Sequence, residues 1–181
     1  MKYEKTLKLK NGEELLLRNG AEADGAAVLD VFTRTHKETD NMLTYADETT
    51  FDAAKEGAFL QAKTDSESEI EILAFVNGVL VGTAGVSAIG GRDKIRHRAE
   101  FGVGILKEYW GLGIGRAMTD ACIECARRAG YLQFELEVVA ENARAIALYE
   151  KCGFTEYGRN PRGFRKRGGE YQELVYMRME L

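Results

Sequence analysis

Three glycines at alternate positions, Gly111, Gly113 and Gly115, are the residues of this chain best suited to hold an anion. They follow segment 101–105, where apolar residues and glycines alternate with the period of two that is typical of a strand. They precede segment 117–129, which is predicted to be helical. A strand, a glycine turn and a helix start together present free backbone N–H groups and the positive end of a helix dipole, and both favour a phosphate. The alternative is that the glycines only make a tight connection.

Two common nucleotide-binding motifs do not fit this turn. The dinucleotide fingerprint G-x-G-x-x-G/A ends on Arg116 when it starts at Gly111, and on Met118 when it starts at Gly113. The P-loop needs a Gly-Lys pair, which the sequence does not contain. The turn is therefore suited to phosphate without carrying either signature.

A second motif, N-A-R-A-I-A-L-Y-E-K-C-G-F, occupies segment 142–154. Together with segment 110–115 it resembles the GNAT superfamily of acetyl-CoA-dependent N-acetyltransferases. The turn of that family follows the pattern Arg/Gln-x-x-Gly-x-Gly/Ala, which Gly113 and Gly115 match, whereas Trp110 stands where the family has Arg or Gln. The family's later segment, Asn-x-x-Ala-x-x-Leu-Tyr-x-x-x-Gly-Phe, is matched by Asn142, Ala145, Leu148, Tyr149, Gly153 and Phe154.

The resemblance implies that acetyl-CoA is the co-substrate and that it lies along both motifs. Gly102 and Gly104 would leave one strand face bare for the pantetheine arm. The main-chain groups of Val103 and Ile105 would pair with that arm and polarise the thioester carbonyl, and the pyrophosphate would lie over the helix N-terminus. The implied cofactor-binding residues are Val103, Gly104, Ile105, Trp110, Gly111, Leu112, Gly113, Ile114, Gly115, Arg116, Asn142, Ala145 and Tyr149.

Three of these side chains raise separate questions. Trp110 lacks the charge of the family residue, and Arg116 just beyond it could restore a charge-assisted contact with phosphate. Asn142 can cap the helix that it begins or hydrogen-bond the cofactor, and neither role excludes the other.

Acetyl transfer to an amine needs a free amine, a polarised thioester and a proton for the departing thiolate. The resemblance implies that Tyr149 supplies that proton; the alternative is that it packs or hydrogen-bonds the cofactor without moving protons. Glu100 lies two residues before Gly102, so it should project on the same strand face and could take the ammonium proton, directly or through water. Otherwise Glu100 is a structural carboxylate paired with Arg98 or Arg96.

The sequence says less about the residues that would bind the acceptor amine. In this family the irregular connection between the first two helices usually borders the acceptor, and here it contains Glu38, Thr39, Met42, Leu43 and Tyr45. A carboxylate there would suit a cationic amine, but exposed acids are also ordinary surface residues.

The last two strands are predicted at 155–159 and 171–180, with a basic, glycine-containing loop at 160–169 between them. The basic side chains of 159–167 either steer an acidic acceptor, contact a CoA phosphate or form a solvated loop.

No metal site is predicted. Cys122 and Cys125 form a C-x-x-C inside the predicted helix without a second Cys or His pair, and they are interpreted as small core residues. His36 and His97 have no partner that indicates a metal or a triad. Cys152 has no nearby base, which covalent acyl transfer would need.

The elements that would position these residues follow from periodicity and turn signals. Asn-Gly pairs at 11–12 and 77–78 indicate hairpins, and Thr49 or Thr50 is expected to cap the second helix. The order β-β-α-α-β-β-β-α-β-α-β-β predicts an α/β fold with a mixed, largely antiparallel sheet flanked by helices. The resemblance implies that residues 1–181 form a single N-acetyltransferase domain with the acyl-CoA N-acyltransferase (GNAT) fold.

Composition narrows the function classes. A chain of 181 residues with 45% hydrophobic content can form one domain with a sizeable core. A net charge of −4 argues against nucleic acid as a partner, and the lack of a long apolar run argues against the membrane. Three cysteines, an odd number without a signal peptide, indicate a reducing cytoplasm.

The sequence therefore predicts a cytoplasmic N-acetyltransferase that moves acetyl from acetyl-CoA to a primary amine of a small molecule, by direct attack in a ternary complex. One alternative is acetylation of a protein or peptide N-terminus. Another is a non-catalytic sensor of acyl-CoA, against which the tyrosine at 149 argues mildly. Exposed edges on the late strands favour a homodimer.

Overall fold

Eight strands form one mixed sheet in residues 1–48 and 50–181, which this computed structural model describes. They are β1 (Glu4–Lys8), β2 (Glu14–Asn19), β3 (Ile70–Val76), β4 (Val79–Ala88), β5 (Arg98–Ile105), β6 (Gln133–Val139), β7 (Thr155–Arg165) and β8 (Tyr171–Glu180). Their order across the sheet is β1-β2-β3-β4-β5-β6-β8-β7. Every neighbouring pair is antiparallel except β5 and β6. The predicted mixed, largely antiparallel sheet is confirmed.

The helices pack on both faces of this sheet and are α1 (Gly25–Glu38), α2 (Ala53–Asp65), α3 (Ile114–Arg128) and α4 (Ala143–Cys152). Leu73 of β3 packs with Val31 of α1 and Leu60 of α2. The preceding Ile72 belongs to a second core that contains Met118 of α3. Because successive strand residues face opposite sides, α1 and α2 cover one face and α3 covers the other. The order of helices and strands along the chain is the predicted one. No helix in the described ranges has the length and apolar character needed to cross a membrane.

The parallel pair β5 and β6 stays together over three residues of each strand, 98–100 and 133–135. Beyond these residues the two strands part, although β5 continues to Ile105 and β6 to Val139. The separation leaves an edge of main-chain groups in the middle of the sheet, and this edge positions the site described below.

The second helix begins later than its predicted cap. The side chain of Asp52 accepts a hydrogen bond from the Lys55 N–H at 2.8 Å and caps α2, which starts at Ala53. The prediction of a cap at Thr50 is therefore wrong, and Thr49 lies outside the described residues.

Strand β7 is longer than predicted. It continues to Arg165 instead of ending at 159, so the predicted loop 160–169 shrinks to 166–170. The strand passes Pro161 because it lies at the sheet edge and its register with β8 shifts between Asn160 and Phe164. An irregular edge strand accommodates a residue that has no N–H to donate.

Candidate active site

A cleft of about 910 Å³ opens where β5 and β6 part. Its walls include segments 100–104 and 135–139 of these strands, together with parts of α1 and segment 41–44. Glu100 and Tyr149 both line it. The fold therefore brings the two predicted catalytic side chains to one cavity.

The main-chain groups of Val103 and Ile105 point into the region where β6 has diverged. The Arg98 carbonyl accepts from the N–H of Ile89, just beyond β4, at 3.2 Å, and the Leu106 N–H donates to the Val81 carbonyl of β4 at 3.0 Å, so even-numbered residues of this segment bond to that neighbour. Bonded positions alternate along an antiparallel ladder, so the N–H and C=O groups of the odd-numbered residues point the other way. An extended ligand lying in the gap would find these groups as partners.

Trp110 already uses one of these groups. Its indole N–H donates to the Ile105 carbonyl at 2.8 Å. The guanidinium carbon of Arg144 lies 5.4 Å from the centroid of the Trp110 ring, and its Nη2 lies 3.7 Å from the point where a Cβ on Gly111 would be. Trp110 thus joins the end of β5, the glycine turn and the first turn of α4.

The glycine turn has the backbone geometry of an anion site. Gly111 and Gly113 have φ of 89° and 99°, in the left-handed region that strains residues with a Cβ. Gly113 is the N-cap of α3, which therefore begins at Ile114 and not at 117 as predicted. No side chain caps this helix and its first turn contains no acidic residue. The positive end of the helix is thus left to attract an anion.

Arg116 is engaged away from the turn. Its Nε donates to both carboxylate oxygens of Asp120 at 2.9 and 2.8 Å, and its Nη1 donates to the Lys151 carbonyl at 3.1 Å. Arg144 is the cation that lies beside the turn, and it forms no ion pair with any described residue. A positive charge therefore lies beside the turn at Arg144.

Helix α4 fixes both Asn142 and Tyr149. The Asn142 side chain accepts from the Ala145 N–H at 3.2 Å and caps the helix, while the residue also lines the cleft. Tyr149 is 8% exposed, and its ring packs edge-on against Phe101 and Phe154 with centroid distances of 6.0 and 6.1 Å. Burial raises the pKa of the Tyr149 hydroxyl to about 12. The hydroxyl therefore keeps its proton at neutral pH and can act as a donor.

Glu100 lines the cleft without either of the ion pairs considered for it. Arg98 donates two hydrogen bonds to Glu135, and Arg96 pairs with a loop aspartate at 3.4 Å. The pKa of Glu137 is raised by burial and then by the negative charge of Glu100. The two carboxylates therefore face the same space.

His36 and Glu71 are among the titratable residues of the cleft for which the sequence predicted no role. His36 Nδ1 lies 2.7 Å from the Phe32 carbonyl, and burial lowers the pKa of the ring. Burial raises the pKa of Glu71 of β3 to about 7, and the Thr83 hydroxyl opposes this shift. In the sequence, Glu71 could have been noticed as a single acid within the otherwise apolar strand 70–76. His36 stands alone, and no feature of the sequence indicated that it belongs to a site.

The connection between α1 and α2 borders the cleft only in part. Met42 and Leu43 line the cleft, and the Met42 methyl lies 3.5 Å from the point where a Cβ on Gly104 would be. The Glu38 carboxylate instead accepts from the Lys107 N–H at 2.7 Å. Of the expected acceptor residues, Met42 and Leu43 therefore face this cavity.

The basic loop docks on the same connection. Lys166 pairs with Asp40 at 3.2 Å. Arg167 donates two hydrogen bonds to Asp47, and its guanidinium carbon lies 4.1 Å from the centroid of the Tyr45 ring. Arg167 is exposed and Lys166 is half-buried, and through their ion pairs both tie the β7–β8 hairpin to the segment that carries Met42.

The cysteines of the C-x-x-C are core residues. Cys122 and Cys125 are buried in α3, and burial raises the pKa of both thiols. In the described part of the chain, no group of three His, Cys, Asp or Glu side chains is arranged to hold a metal ion.

A family model described as Acetyltransferase (GNAT) family matches residues 27–154. The chain belongs to the GNAT family of acetyltransferases. The matched range contains both cleft strands, the glycine turn and the Asn142–Phe154 motif, so the resemblance seen in the sequence and the enzyme class that it implies are confirmed.

Individual relatives differ in how much of this acetyltransferase they match. Mycothiol acetyltransferase of Beutenbergia cavernae is 53% identical over 45 residues, which are 25% of this chain and 15% of that protein. L-amino acid N-acyltransferase MnaT of Escherichia coli is 25% identical over 165 residues, 91% of this chain and 93% of MnaT. A crystal structure of a GNAT-family acetyltransferase from Streptococcus pneumoniae superposes with a TM-score of 0.88 at 28% identity, covering 92% and 99% of the two chains.

Proposed function

We propose that this acetyltransferase transfers the acetyl group of acetyl-CoA to a primary amine of a small molecule, by direct attack in a ternary complex. The observation that carries the proposal is the parted β5–β6 pair. It offers unpaired main-chain groups to an extended ligand beside a cleft of about 910 Å³ that also contains Glu100 and Tyr149. The near full-length match to MnaT, whose name describes an L-amino acid N-acyltransferase, supports an amine of small size as the acceptor.

The co-substrate would span the edge of β5 and the glycine turn. Val103, Gly104 and Ile105 would hold the pantetheine arm and polarise the thioester carbonyl through main-chain N–H groups. Donors on the turn and on the first helical residues would hold the pyrophosphate. They belong to Trp110, Gly111, Leu112, Gly113, Ile114, Gly115 and, through its main-chain N–H, Arg116, and Asn142, Ala145 and Tyr149 would contribute from the α4 segment.

Two side chains would move protons. Glu100 would accept the ammonium proton, directly or through water, which leaves the nitrogen lone pair free to attack the thioester carbonyl carbon. As the C–N bond forms and the C–S bond breaks, Tyr149 would give its proton to the departing thiolate. The products are the N-acetyl amine and free CoA.

Several features of the chain support a cytoplasmic homodimer as part of this proposal. All three cysteines are free thiols, as expected in a reducing compartment. Strand β7 lies at one sheet edge and could pair with a second copy. Light scattering of the purified protein tests the dimer, and a monomer at micromolar concentration would contradict it.

Release of free CoA from acetyl-CoA across a panel of amines, amino acids and short peptides tests the function. Acceptor-dependent release with small amines is the expected result. Release with peptides alone would indicate N-terminal acetylation, and tight acetyl-CoA binding without acceptor-dependent release would indicate a sensor. Either result would overturn the proposal.

A further inference from the structure

One carboxylate of the cleft lies over a bare part of the sheet. Glu71 of β3 pairs with Gly85 of β4, and Gly85 pairs with Gly102 of β5. A Cβ on Gly85 would lie 2.5 Å from Glu71 Oε2. The carboxylate therefore extends across β4, over the space that a side chain at position 85 would fill, and lines the cleft.

Glu71 forms no ion pair with any described residue. The Thr83 hydroxyl lowers the pKa of Glu71. The Lys63 ammonium lowers the pKa of Glu71, but its own close contacts are with Glu69 at 3.0 Å and with Ser87 at 2.6 Å. A half-buried carboxylate without an ion-pair partner is unfavourable, so a positively charged ligand group would stabilise its ionised form.

The rest of the cleft is also acidic. Glu100, Glu135 and Glu137 line it with Glu71, and Arg98 is the one Lys or Arg among its described lining residues. The Arg98 guanidinium is committed to Glu135 through two hydrogen bonds. The described walls thus offer no free cation for the carboxylate of an α-amino acid.

We propose that Glu71 binds a second cationic group of the acceptor, so that the acceptors of this enzyme are aliphatic diamines and polyamines rather than α-amino acids. The inference rests on the amine acetylation proposed above. It adds a binding residue that faces the same cleft as Glu100 from two strands away.

The spacing of the two carboxylates sets the length of such an acceptor. Gly85 and Gly102 continue the row of Glu71 across two strand spacings, and Glu100 lies two residues along β5 from Gly102. Strand spacing and rise per residue then give about 12 Å between the Cα atoms of Glu71 and Glu100. The Glu71 carboxylate lies over Gly85, one strand nearer to Glu100 than its own Cα. The span between the two carboxylates is therefore shorter than this and suits a short aliphatic diamine.

Wild-type kinetics with matched acceptors test this directly. At about pH 8, we expect kcat/KM for 1,4-diaminobutane to exceed that for butylamine by about tenfold or more, the size expected for a hydrogen bond to a charged group. Methionine should be a poorer acceptor than either amine. Equal use of diaminobutane and butylamine, or a preference for methionine, would overturn the inference while leaving the acetyltransferase function intact. Absence of CoA release with every amine would overturn both.

Two variants assign the effect to one side chain. Glu71→Gln should bring the diaminobutane-to-butylamine ratio of kcat/KM close to one, mainly through a higher KM for the diamine. Glu67→Gln removes the same charge from an exposed loop position and should leave the ratio at its wild-type value. A ratio that survives in Glu71→Gln, or that falls equally in Glu67→Gln, would contradict the assignment. If Glu71→Gln does not fold, the wild-type ratio still decides the substrate class.

Discussion

The indole N–H of Trp110 donates to the main-chain carbonyl of Ile105 at 2.8 Å. The position at which this chain departs from the family pattern therefore ties the glycine turn to the strand proposed to hold the thioester. Trp110→Phe keeps the aromatic face on which Arg144 lies and removes the N–H. A lost hydrogen bond of about 1 kcal/mol should raise the KM for acetyl-CoA about fivefold, with kcat nearly unchanged. Steady-state kinetics measure this, and a KM equal to that of wild type would show that the bond does not hold the turn.

Arg144 gives a second prediction at the same turn. Arg144→Gln removes the cation beside Gly111 and should weaken acetyl-CoA binding, with a smaller effect at high salt because the lost interaction is electrostatic. Arg116→Gln is the matched control, since the Arg116 side chain is paired with Asp120 and the residue is proposed to contact the pyrophosphate through its main-chain N–H alone. Calorimetric titration with acetyl-CoA compares the two variants. A larger loss in Arg116→Gln would assign the phosphate contact to Arg116 instead.

Tyr149→Phe tests the proposed acid. The variant keeps the ring packing against Phe101 and Phe154 and loses only the hydroxyl. We expect kcat to fall by about 10²–10⁴-fold, the usual contribution of a positioned acid, while acetyl-CoA binding stays nearly intact. Turnover within a factor of two of wild type would leave Tyr149 with a packing role alone.

Glu100→Gln tests the proposed base. Without a carboxylate to accept the ammonium proton, the rate should depend on the fraction of acceptor that is already a free amine, so activity should recover as pH rises. The pH–rate profile of kcat/KM with one acceptor measures this shift. An unchanged profile would remove Glu100 as the base.

Glu71 should make the stability of the free enzyme fall as pH rises. Burial raises its pKa from 4.5 to about 7, with Glu56 adding to the shift and Lys63 and Thr83 opposing it. Between these two values the folded chain holds a proton that the unfolded chain has released, so folding stability decreases with pH across that window and levels off above it. Glu71→Gln removes this dependence and should be stabilised relative to wild type at pH 8 but not at pH 4.

Urea unfolding of wild type, Glu71→Gln and Glu67→Gln across pH 4–8 measures this difference. Glu67→Gln, with its exposed side chain, should follow the wild-type curve. A constant difference between Glu71→Gln and wild type at all pH values would show that Glu71 does not titrate in this window.

The element order was predictable because its signals are local. The Asn-Gly turns give positive φ at Gly12 and Gly78, and the alternation of β5 and the helical run after the glycine turn are both visible in the sequence. The length of β7 was not predictable, because Pro161 normally ends a strand and is tolerated here only through its edge position and register shift.

The candidate site, like the fold, has parts that could be predicted from the sequence and parts that could not. Glu100 and Tyr149 belong to contiguous motifs, and both line the cleft. The position of the Glu71 carboxylate in the cleft depends on the strand register that places Glu71 opposite Gly85. The orientation of the Arg116 side chain depends on its hydrogen bonds to Asp120 and to the Lys151 carbonyl. Pairings between distant segments leave no periodic trace in a single sequence, so these relationships required the three-dimensional arrangement.

The early parting of β5 and β6 also has a dynamic consequence. Where a strand lacks a neighbour on one side, the N–H groups on that side form no hydrogen bonds within a sheet or a helix. In the free enzyme the N–H groups of Val103 and Ile105 should therefore exchange with solvent deuterium much faster than those of the fully paired β3. An extended ligand in the gap would complete the sheet as a missing strand does, and slow that exchange selectively. Ligand binding and the local order of β5 are thereby linked through the N–H groups of Val103 and Ile105.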